Sequence, residues 1–223
     1  MAIPPPPQGW RRVFLLRHGE THANEQGLVQ GSRINAKLNH LGQNQALGLG
    51  KFFEPYKIGV LCTSALERAR ETASHICGCG IKEKKVLTLA ELNEMDYGAT
   101  WDGKHLSTVF RDLRTISKRW SDGDTSFACP DGGESPDDVL KRSLLGLREV
   151  VDQMSECAED EVAVIIAHNF VNKILLSHIL NGKVSELQRI QQDHACINVM
   201  NVHPGTGEVE VIHVNLGEHL ARL

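Results

Sequence analysis

The sequence predicts an α/β protein, in a three-layer fold whose helices cover both faces of a mostly parallel central sheet. Short apolar runs of strand length alternate with longer segments of helical periodicity, which is typical of a parallel sheet. The 223 residues are 41% hydrophobic and 23% charged, which suits one domain with a sizeable core. We therefore expect a proline-rich leader at residues 1–10 and a single domain over residues 11–223, with a lid-like insertion at about residues 98–130.

The first half of the chain begins with two candidate strands and two candidate helices. Residues 13–16 form a continuous apolar run, as expected for a strand that is covered on both faces. Residues 41–53 have apolar side chains near helical spacing, and residues 58–62 form a second apolar run. Residues 64–76 are rich in helix formers, and Ser64 is a candidate N-cap for this helix.

The second half contains one long helix and the strongest strand. The sequence S-P-D-D at residues 135–138 combines a cap, a first-turn proline and acidic residues that the positive helix end favours. It predicts a helix from residue 135 to about residue 154, after the less regular insertion. The other predicted elements are strands over residues 86–89, 162–167, 195–202 and 209–214 and a helix over residues 170–180.

Charge and composition exclude several classes of partner. The net charge of −4 gives no electrostatic reason to expect nucleic acid or an anionic membrane, since both select basic surfaces. No apolar stretch approaches the roughly 20 residues that span a bilayer, and residues 1–12 do not resemble a secretory signal, so we expect a cytoplasmic protein. Only Cys77 and Cys79 are close together among the six cysteines, and no second pair follows at zinc-site spacing. We expect no metal and no cofactor.

Polar residues come just after the ends of three predicted strands. Arg17 and His18 follow the first strand, Arg68 comes soon after the second, and His168 follows the strongest strand. Such strand ends meet at one sheet edge, where ligands bind. Two arginines and two histidines would form a positive pocket that suits a phosphoryl group. On these residues alone, an ordinary polar histidine and a surface arginine remain the alternative.

Five motifs make this interpretation specific. The chain reads R-H-G-E-T from Arg17, S-A-L-E-R-A-R-E-T-A from Ser64, L-N-E-M-D-Y-G from Leu92 and G-G-E-S from Gly132, and V-I-I-A leads to His168. In this order the motifs resemble those of the histidine phosphatase superfamily, in its phosphoglycerate mutase-like branch. The resemblance runs from residue 13 to about residue 180 and implies the phosphoglycerate mutase-like fold.

The resemblance also implies a role for each matching residue. His18 would attack phosphorus and carry a phosphohistidine. Arg17, Arg68 and His168 would hold the phosphoryl oxygens. Glu94 would protonate the leaving oxygen and then activate water. The other substrate- and phosphate-binding candidates are Asn24, Gln30, Gly31, Tyr97 and Asn169.

The insertion carries weaker candidates. Its aromatic residues would cap the pocket or simply pack the insertion down, and they are Trp101, Trp120 and Phe127. Its basic residues would bind a second anionic group of the substrate or form a solvated helix face. These basic residues are Lys104, Arg111 and Arg114.

The sequence favours a phosphatase over a mutase without deciding between them. The glycolytic mutases of this family have a long insertion before G-G-E-S, whereas only 36 residues lie between Glu94 and Asp131 here. His168 is followed directly by Asn169, as in the broad phosphatases of the family, where the mutases have Gly-Asn. Tyr97 belongs to a segment that resembles the acid segment of the mutases, and this feature favours mutase activity.

We therefore predict a hydrolase that acts on a small-molecule phosphate ester, such as a sugar or glycerate phosphate, through a phosphohistidine. The alternative is a cofactor-dependent phosphoglycerate mutase, which is an isomerase. A protein phosphatase or a non-catalytic phosphate-binding protein is the second alternative, although the intact motifs argue against loss of activity. The sequence allows a homodimer.

Overall fold

The computed structural model describes residues 3–77 and 86–220. In these residues the strands are β1 (Arg11–Arg17), β2 (Lys57–Ser64), β3 (Leu87–Leu89), β4 (Glu161–Ala167), β5 (Ile197–Val202) and β6 (Val209–Leu216). The helices are α1 (His22–Glu25), α2 (His40–Phe53), α3 (Glu67–Cys77), α4 (Leu106–Ser121), α5 (Pro136–Gln153) and α6 (Asn169–Asn181). Short 3₁₀ turns span Ala90–Leu92, Met154–Glu156, Val184–Arg189 and Glu218–Leu220.

The strands of the described residues form one sheet in the order β3-β2-β4-β1-β5-β6. The strands β3, β2, β4 and β1 run parallel, whereas β5 and β6 are antiparallel to their neighbours. The pairing sets Arg17 opposite Ala167, so β1 and β4 end side by side. The predicted α/β fold with a mostly parallel sheet is confirmed, and the last two strands extend it as an antiparallel edge.

The two faces of β1 contribute to two different cores. Val13 and Leu15 pack with the side of the sheet covered by α5 and α6, whereas Phe14 and Leu16 pack with the side covered by α2 and α3. All four side chains are 0% exposed. A strand in this position has no solvated face, which explains why every residue of the run is apolar.

Helix α5 begins as the sequence predicts. The Ser135 hydroxyl accepts a hydrogen bond from the Asp138 N–H, and the Asp138 carboxylate accepts one from the Ser135 N–H. This reciprocal capping box satisfies two N–H groups at the helix start.

Helix α3 corrects one prediction. The role of Ser64 as its N-cap is wrong, because α3 begins only at Glu67 and Ser64 is the last residue of β2. The strand continues to this point because Ser64 pairs with Leu89 of β3. The hydroxyl of Ser64 is therefore placed at the sheet edge.

The insertion is more regular than the sequence indicates. Residues 98–130 contain α4, a helix of 16 residues. The helical pattern is hard to read because only Val109 and Trp120 of this helix are buried. Leu106 and Phe110 are exposed although they are apolar. A helix with a narrow buried side gives a weak periodic signal.

The proline-rich leader contacts the domain from residue 3 onward. Ile3 packs against the core cluster that contains Phe14, and the Pro4 carbonyl accepts a hydrogen bond from Arg12. These contacts mean that the leader is not separate from the fold at these residues.

Candidate active site

The parallel pairing of β1 with β4 places the two predicted histidines side by side. Each histidine follows its strand, and the backbone N–H of His18 donates to the carbonyl of Ala167 at 3.2 Å. The ring centroids of His18 and His168 are 5.1 Å apart. Arg68, near the start of α3, reaches the same point from beyond β2. The sheet edge therefore gathers residues that are distant in sequence.

His18 has the geometry of a nucleophile. Its Nδ1 lies 2.7 Å from the Gly19 carbonyl oxygen, so Nδ1 carries the hydrogen and Nε2 keeps its lone pair. Burial lowers the pKa of His18 well below its ordinary value, and the charges of Arg68 and Arg17 lower this pKa further. A neutral imidazole with an available nitrogen lone pair can attack phosphorus.

His168 is fully buried, and both of its ring nitrogens have protein partners. Arg68 Nε donates to Nδ1 at 3.2 Å, and Nε2 lies 2.7 Å from the Ser64 hydroxyl oxygen. Because Nδ1 accepts, Nε2 carries the hydrogen and donates to Ser64. Burial and the charge of Arg68 lower the pKa of His168, which keeps the ring neutral. Ser64 is thus a residue of the site rather than a helix cap.

Arg17 is held by the segment that precedes β5. Its Nη1 donates to the Gln192 carbonyl at 2.7 Å, and its Nη2 donates to His194 Nε2 at 2.8 Å. Its Nε is buried and has no hydrogen-bond partner among the described residues. A buried N–H of this kind costs free energy until an acceptor reaches it, so it suits a phosphoryl oxygen.

His194 is a site residue that the sequence reasoning missed. Its ring centroid lies 6.3 Å from that of His18. Burial and the charge of Arg17 lower the pKa of His194 to about 3, so the neutral ring accepts from Arg17. The available signal was its position just before a strand that is antiparallel to β1. The start of such a strand lies at the same sheet edge as the end of its neighbour.

Glu94 presents its carboxylate at the N-terminus of α6. The Phe170 N–H lies 3.2 Å from both carboxylate oxygens, and the Val171 N–H donates to Oε1 at 3.3 Å. The Met95 N–H donates to Oε1 at 2.9 Å. These donors and the positive end of the helix hold the carboxylate in place.

Arg142 of α5 holds the backbone segment that carries Glu94, and the sequence reasoning did not single it out. Its Nη1 donates to the carbonyls of Glu91 at 2.7 Å and Asn93 at 2.6 Å. Its Nη2 donates to the Glu94 carbonyl at 3.2 Å. The guanidinium also binds both carboxylate oxygens of Glu134, the acidic residue of G-G-E-S. This bidentate pair ties two of the sequence motifs together.

A cavity of about 470 Å³ opens in front of His18. The predicted site residues on its wall are Arg17, His18, Asn24, Gln30, Glu94, Tyr97 and Asn169. Three other predicted residues are buried and do not line this cavity, namely Arg68, His168 and Gly31. Among these, Arg68 Nη2 donates to the Gly31 carbonyl at 3.2 Å. Direct contact of Arg68 and His168 with phosphoryl oxygens stays a prediction.

Thr21 orients two of the amide side chains on the cavity wall, those of Asn24 and Gln30. The Thr21 hydroxyl donates to Gln30 Oε1 at 2.7 Å, and the Thr21 N–H donates to Asn24 Oδ1 at 3.2 Å. Gln30 Nε2 is buried without a hydrogen-bond partner in the described part of the chain. The amide oxygens are therefore engaged, and the NH₂ groups are the donors left for a ligand.

Only two of the candidates in the insertion reach the cavity, namely Arg114 and Trp120. The Trp120 indole N–H donates to the carbonyl of Phe127 at 2.8 Å. Trp101 packs in the core. Lys104 and Arg111 are exposed and do not line the cavity, which leaves Arg114 as the candidate for a second anionic group.

Metal ligands and membrane spans are not found in the described part of the chain. Within residues 3–77 and 86–220, no group of three or more His, Cys, Asp or Glu side chains could hold a metal ion. Gly78 and Cys79 lie outside the described residues, so the close cysteine pair is not tested. No helix in the same ranges is long and apolar enough to cross a bilayer.

A comparison with known protein families shows which family the chain belongs to. Residues 13–215 match the model of the histidine phosphatase superfamily, branch 1. The chain belongs to this superfamily. The predicted membership is confirmed, and the matched span includes the five motifs.

Relatives of this chain differ in length. A bifunctional protein of Mycobacterium tuberculosis is 30% identical over 204 residues, which are 91% of this chain and 53% of the relative. The chain thus spans about half the length of that relative. Adenosylcobalamin/alpha-ribazole phosphatase of Escherichia coli is 24% identical over 202 residues, which are 91% of this chain and 95% of the relative.

Solved structures resemble this chain over nearly its whole length. Mycobacterial glucosyl-3-phosphoglycerate phosphatase in complex with VO3 gives a TM-score of 0.80 at 25% identity, covering 93% of this chain and 100% of that one. Bacillus stearothermophilus YhfR gives a TM-score of 0.79 at 25% identity, covering 94% of this chain and 99% of that one.

Proposed function

We propose that this histidine phosphatase hydrolyses phosphate monoesters of small metabolites through a phosphohistidine at His18. The observation that carries the proposal is that three reactive groups line one cavity. These groups are the lone pair of neutral His18, the guanidinium of Arg17 with its unpartnered N–H, and the carboxyl of Glu94. They supply a nucleophile, a hydrogen-bond donor for a phosphoryl oxygen, and an acid that protonates the leaving oxygen.

The reaction has two steps. In the first, His18 Nε2 attacks phosphorus, the bond from phosphorus to the ester oxygen breaks, and Glu94 gives its proton to the leaving alcohol. In the second, water attacks the phosphohistidine, Glu94 takes a proton from this water, and the phosphorus–nitrogen bond breaks to restore neutral His18. Arg17 and Arg68 supply positive charge where the phosphoryl oxygens accumulate negative charge.

A phosphatase is favoured over a mutase because the cavity reaches solvent. Phe110 and Arg114 lie on its wall and are exposed, so water has a path to a phosphoenzyme. A mutase has to keep its phosphoenzyme from water. The Escherichia coli relative and the mycobacterial structure are also phosphatases by name. Sugar and glycerate phosphates are the small metabolites that we propose as substrates.

A cofactor-dependent phosphoglycerate mutase is the second candidate. It is supported by Tyr97, which belongs to the mutase-like acid segment and lies on the cavity wall. Cytoplasmic localisation and a homodimer stay predictions.

The test is phosphate release from a panel of phosphorylated sugars and glycerates, with phosphoglycerate interconversion measured in parallel. We expect release by the wild-type enzyme, an acid-labile phosphoryl group on the enzyme, and loss of both in His18→Ala. His40→Ala, at an exposed histidine on α2, is the matched control. Interconversion that depends on a bisphosphorylated primer would make the protein a mutase. Binding of esters without turnover would make it a phosphate-binding protein.

A further inference from the structure

The cavity continues beyond the phosphate site into a compartment that the proposed chemistry does not use. One side of this compartment is α4, whose side chains Leu106, Phe110 and Leu113 line it. Leu28 and Phe170 line it from other elements. Phe110 is 55% exposed and Leu106 is 45% exposed, so the compartment contains large apolar surface in contact with water.

These apolar side chains form a patch rather than scattered surface residues. Leu106, Phe110 and Leu113 are four and three residues apart, so they share one face of α4. The Phe170 ring makes edge-on contacts with Tyr97 at 5.6 Å and Trp120 at 6.1 Å between ring centroids. Contiguous exposed apolar surface beside a reactive site is typical of a ligand-binding surface.

The size of the cavity exceeds what a phosphoryl group needs. Its volume of about 470 Å³ falls in the range of roughly 300–1,000 Å³ that is usual for whole small-molecule ligands. The organic part of the ester therefore has room inside the cavity, next to the apolar patch.

The charge of the compartment comes from Arg114. Of the two arginines among the described residues of the cavity wall, Arg17 belongs to the phosphate site. Arg114 lies four residues after Phe110 on α4, beside the patch. The neighbouring polar groups on the wall, Ser117 and Gln188, are uncharged. A guanidinium next to an apolar wall suits an anionic group on an otherwise apolar compound.

We propose that the preferred substrate is a phosphate monoester whose organic part has an aromatic or similarly flat apolar face and carries an anionic group. The apolar face packs against Phe110 and Phe170, and the anionic group pairs with Arg114. This inference rests on the proposed phosphatase function and deepens it by naming the substrate class. Small hydrophilic esters react at the same His18 but leave the apolar wall in water.

The test compares three esters of primary alcohols, so that the bond that breaks is of the same kind. They are ethyl phosphate, benzyl phosphate and 4-carboxybenzyl phosphate. We expect kcat/KM to rise about tenfold from ethyl to benzyl phosphate, from burial of the ring, and about fivefold more with the carboxylate. Phe110→Ala should remove most of the first preference, and Arg114→Gln most of the second. Leu145→Ala, an exposed leucine on α5, is the control and should keep both preferences.

Two further results separate this inference from the proposed function. Equal kcat/KM for ethyl and benzyl phosphate would overturn the apolar part, and a carboxylate preference that survives Arg114→Gln would overturn the anionic part. The non-hydrolysable ethylphosphonate and benzylphosphonate are titrated by calorimetry in parallel. Tighter binding of benzylphosphonate, lost in Phe110→Ala, without hydrolysis of any ester would support the compartment and overturn the phosphatase. Hydrolysis of ethyl and benzyl phosphate with equal kcat/KM would support the phosphatase and overturn the compartment.

Discussion

The histidines at the sheet edge differ in their hydrogen-bond partners, and the partner decides what each ring can do. Nδ1 of His18 faces a carbonyl, so its Nε2 keeps the lone pair that the proposed attack on phosphorus uses. Both nitrogens of His168 are engaged by Arg68 and Ser64. His194 accepts from an arginine and orients it. Burial lowers the pKa of all three rings and keeps them neutral.

Arg142 is expected to act as a positioning residue for Glu94. Arg142→Ala removes the donors that hold three carbonyls of the acid segment, and we expect a loss of about 10- to 100-fold in kcat for alkyl phosphates, because small displacements of a catalytic group are costly. Activity on 4-nitrophenyl phosphate should fall much less, since that leaving group needs little protonation.

The control for this experiment is on the same helix. Arg148→Ala removes an arginine whose side chain is 80% exposed and pairs only with Asp152 among the described ion pairs, and it should leave both activities near wild type. An equal loss of activity on both substrates in Arg142→Ala would indicate a general structural defect instead of a displaced Glu94.

His194 is expected to orient Arg17 for phosphate binding. His194→Ala removes the acceptor of one Arg17 N–H, and the loss of one such hydrogen bond costs about 0.5–1.5 kcal/mol. We therefore expect inhibition by inorganic phosphate to weaken about two- to tenfold, measured as Ki against a fixed substrate. His40→Ala serves as the control, and an unchanged Ki in His194→Ala would contradict the assignment.

At the scale of elements, the loop after β1 is packed directly on the start of α2. A Cβ on Gly42 would lie 2.0 Å from the Glu20 carbonyl oxygen, and a Cβ on Gly19 would lie 2.6 Å from the Gly42 carbonyl oxygen. Side chains at either position would push the two segments apart. The close contact fixes the backbone next to His18, so this contact links helix packing to the position of the proposed nucleophile.

Gly42→Ala is expected to destabilise the protein although alanine favours helices. Overpacking at this contact costs about 1–3 kcal/mol, which exceeds the gain of about 0.5–1 kcal/mol from helix propensity. Thermal unfolding should show a Tm lower by about 2–10 °C, with reduced kcat because the His18 backbone moves. Gly217→Ala, where a Cβ would meet open space, is the control. An unchanged Tm in Gly42→Ala would show that the contact relaxes without cost.

For the whole molecule, the buried neutral histidines make stability depend on pH. His18, His168 and His194 have folded pKa values below the ordinary value of 6.5. Below about pH 6.5 the unfolded chain therefore binds more protons than the folded protein. The free energy of unfolding therefore rises with pH in this range. The part of the stability that depends on the three neutral rings is fully present above about pH 6.5 and is lost as the pH falls.

Urea unfolding at several pH values should show this loss. Between about pH 7 and pH 5 we expect the free energy of unfolding to fall by up to about 1.4 kcal/mol per pH unit for each additional proton that the unfolded chain binds. His194→Asn should reduce the slope, with His40→Asn as the exposed control. A profile that is flat over this range would mean that the histidines are not buried as neutral rings.

The sequence by itself determined the fold class and the superfamily, and it predicted that the two histidines after its strongest strands lie at one sheet edge. Continuous apolar runs identified β1 and β4, because strands covered on both faces have no polar positions. The Ser135 cap, the first-turn proline and the acidic residues identified the start of α5, because these signals are local in sequence. The motifs supplied His18 and Glu94 as candidates, and the sheet edge supplied the reason for two distant histidines to meet.

Only the tertiary structure decided which residues orient these groups. The role of Ser64 was misread because strand pairing with β3, a non-local contact, extends β2 through it. Arg142 and His194 were missed because their partners are backbone carbonyls and an arginine far away in sequence. Helix α4 was missed because only Val109 and Trp120 of its 16 residues are buried, so its periodic signal is weak. Local patterns report burial and caps, whereas hydrogen bonds between distant segments depend on the folded geometry.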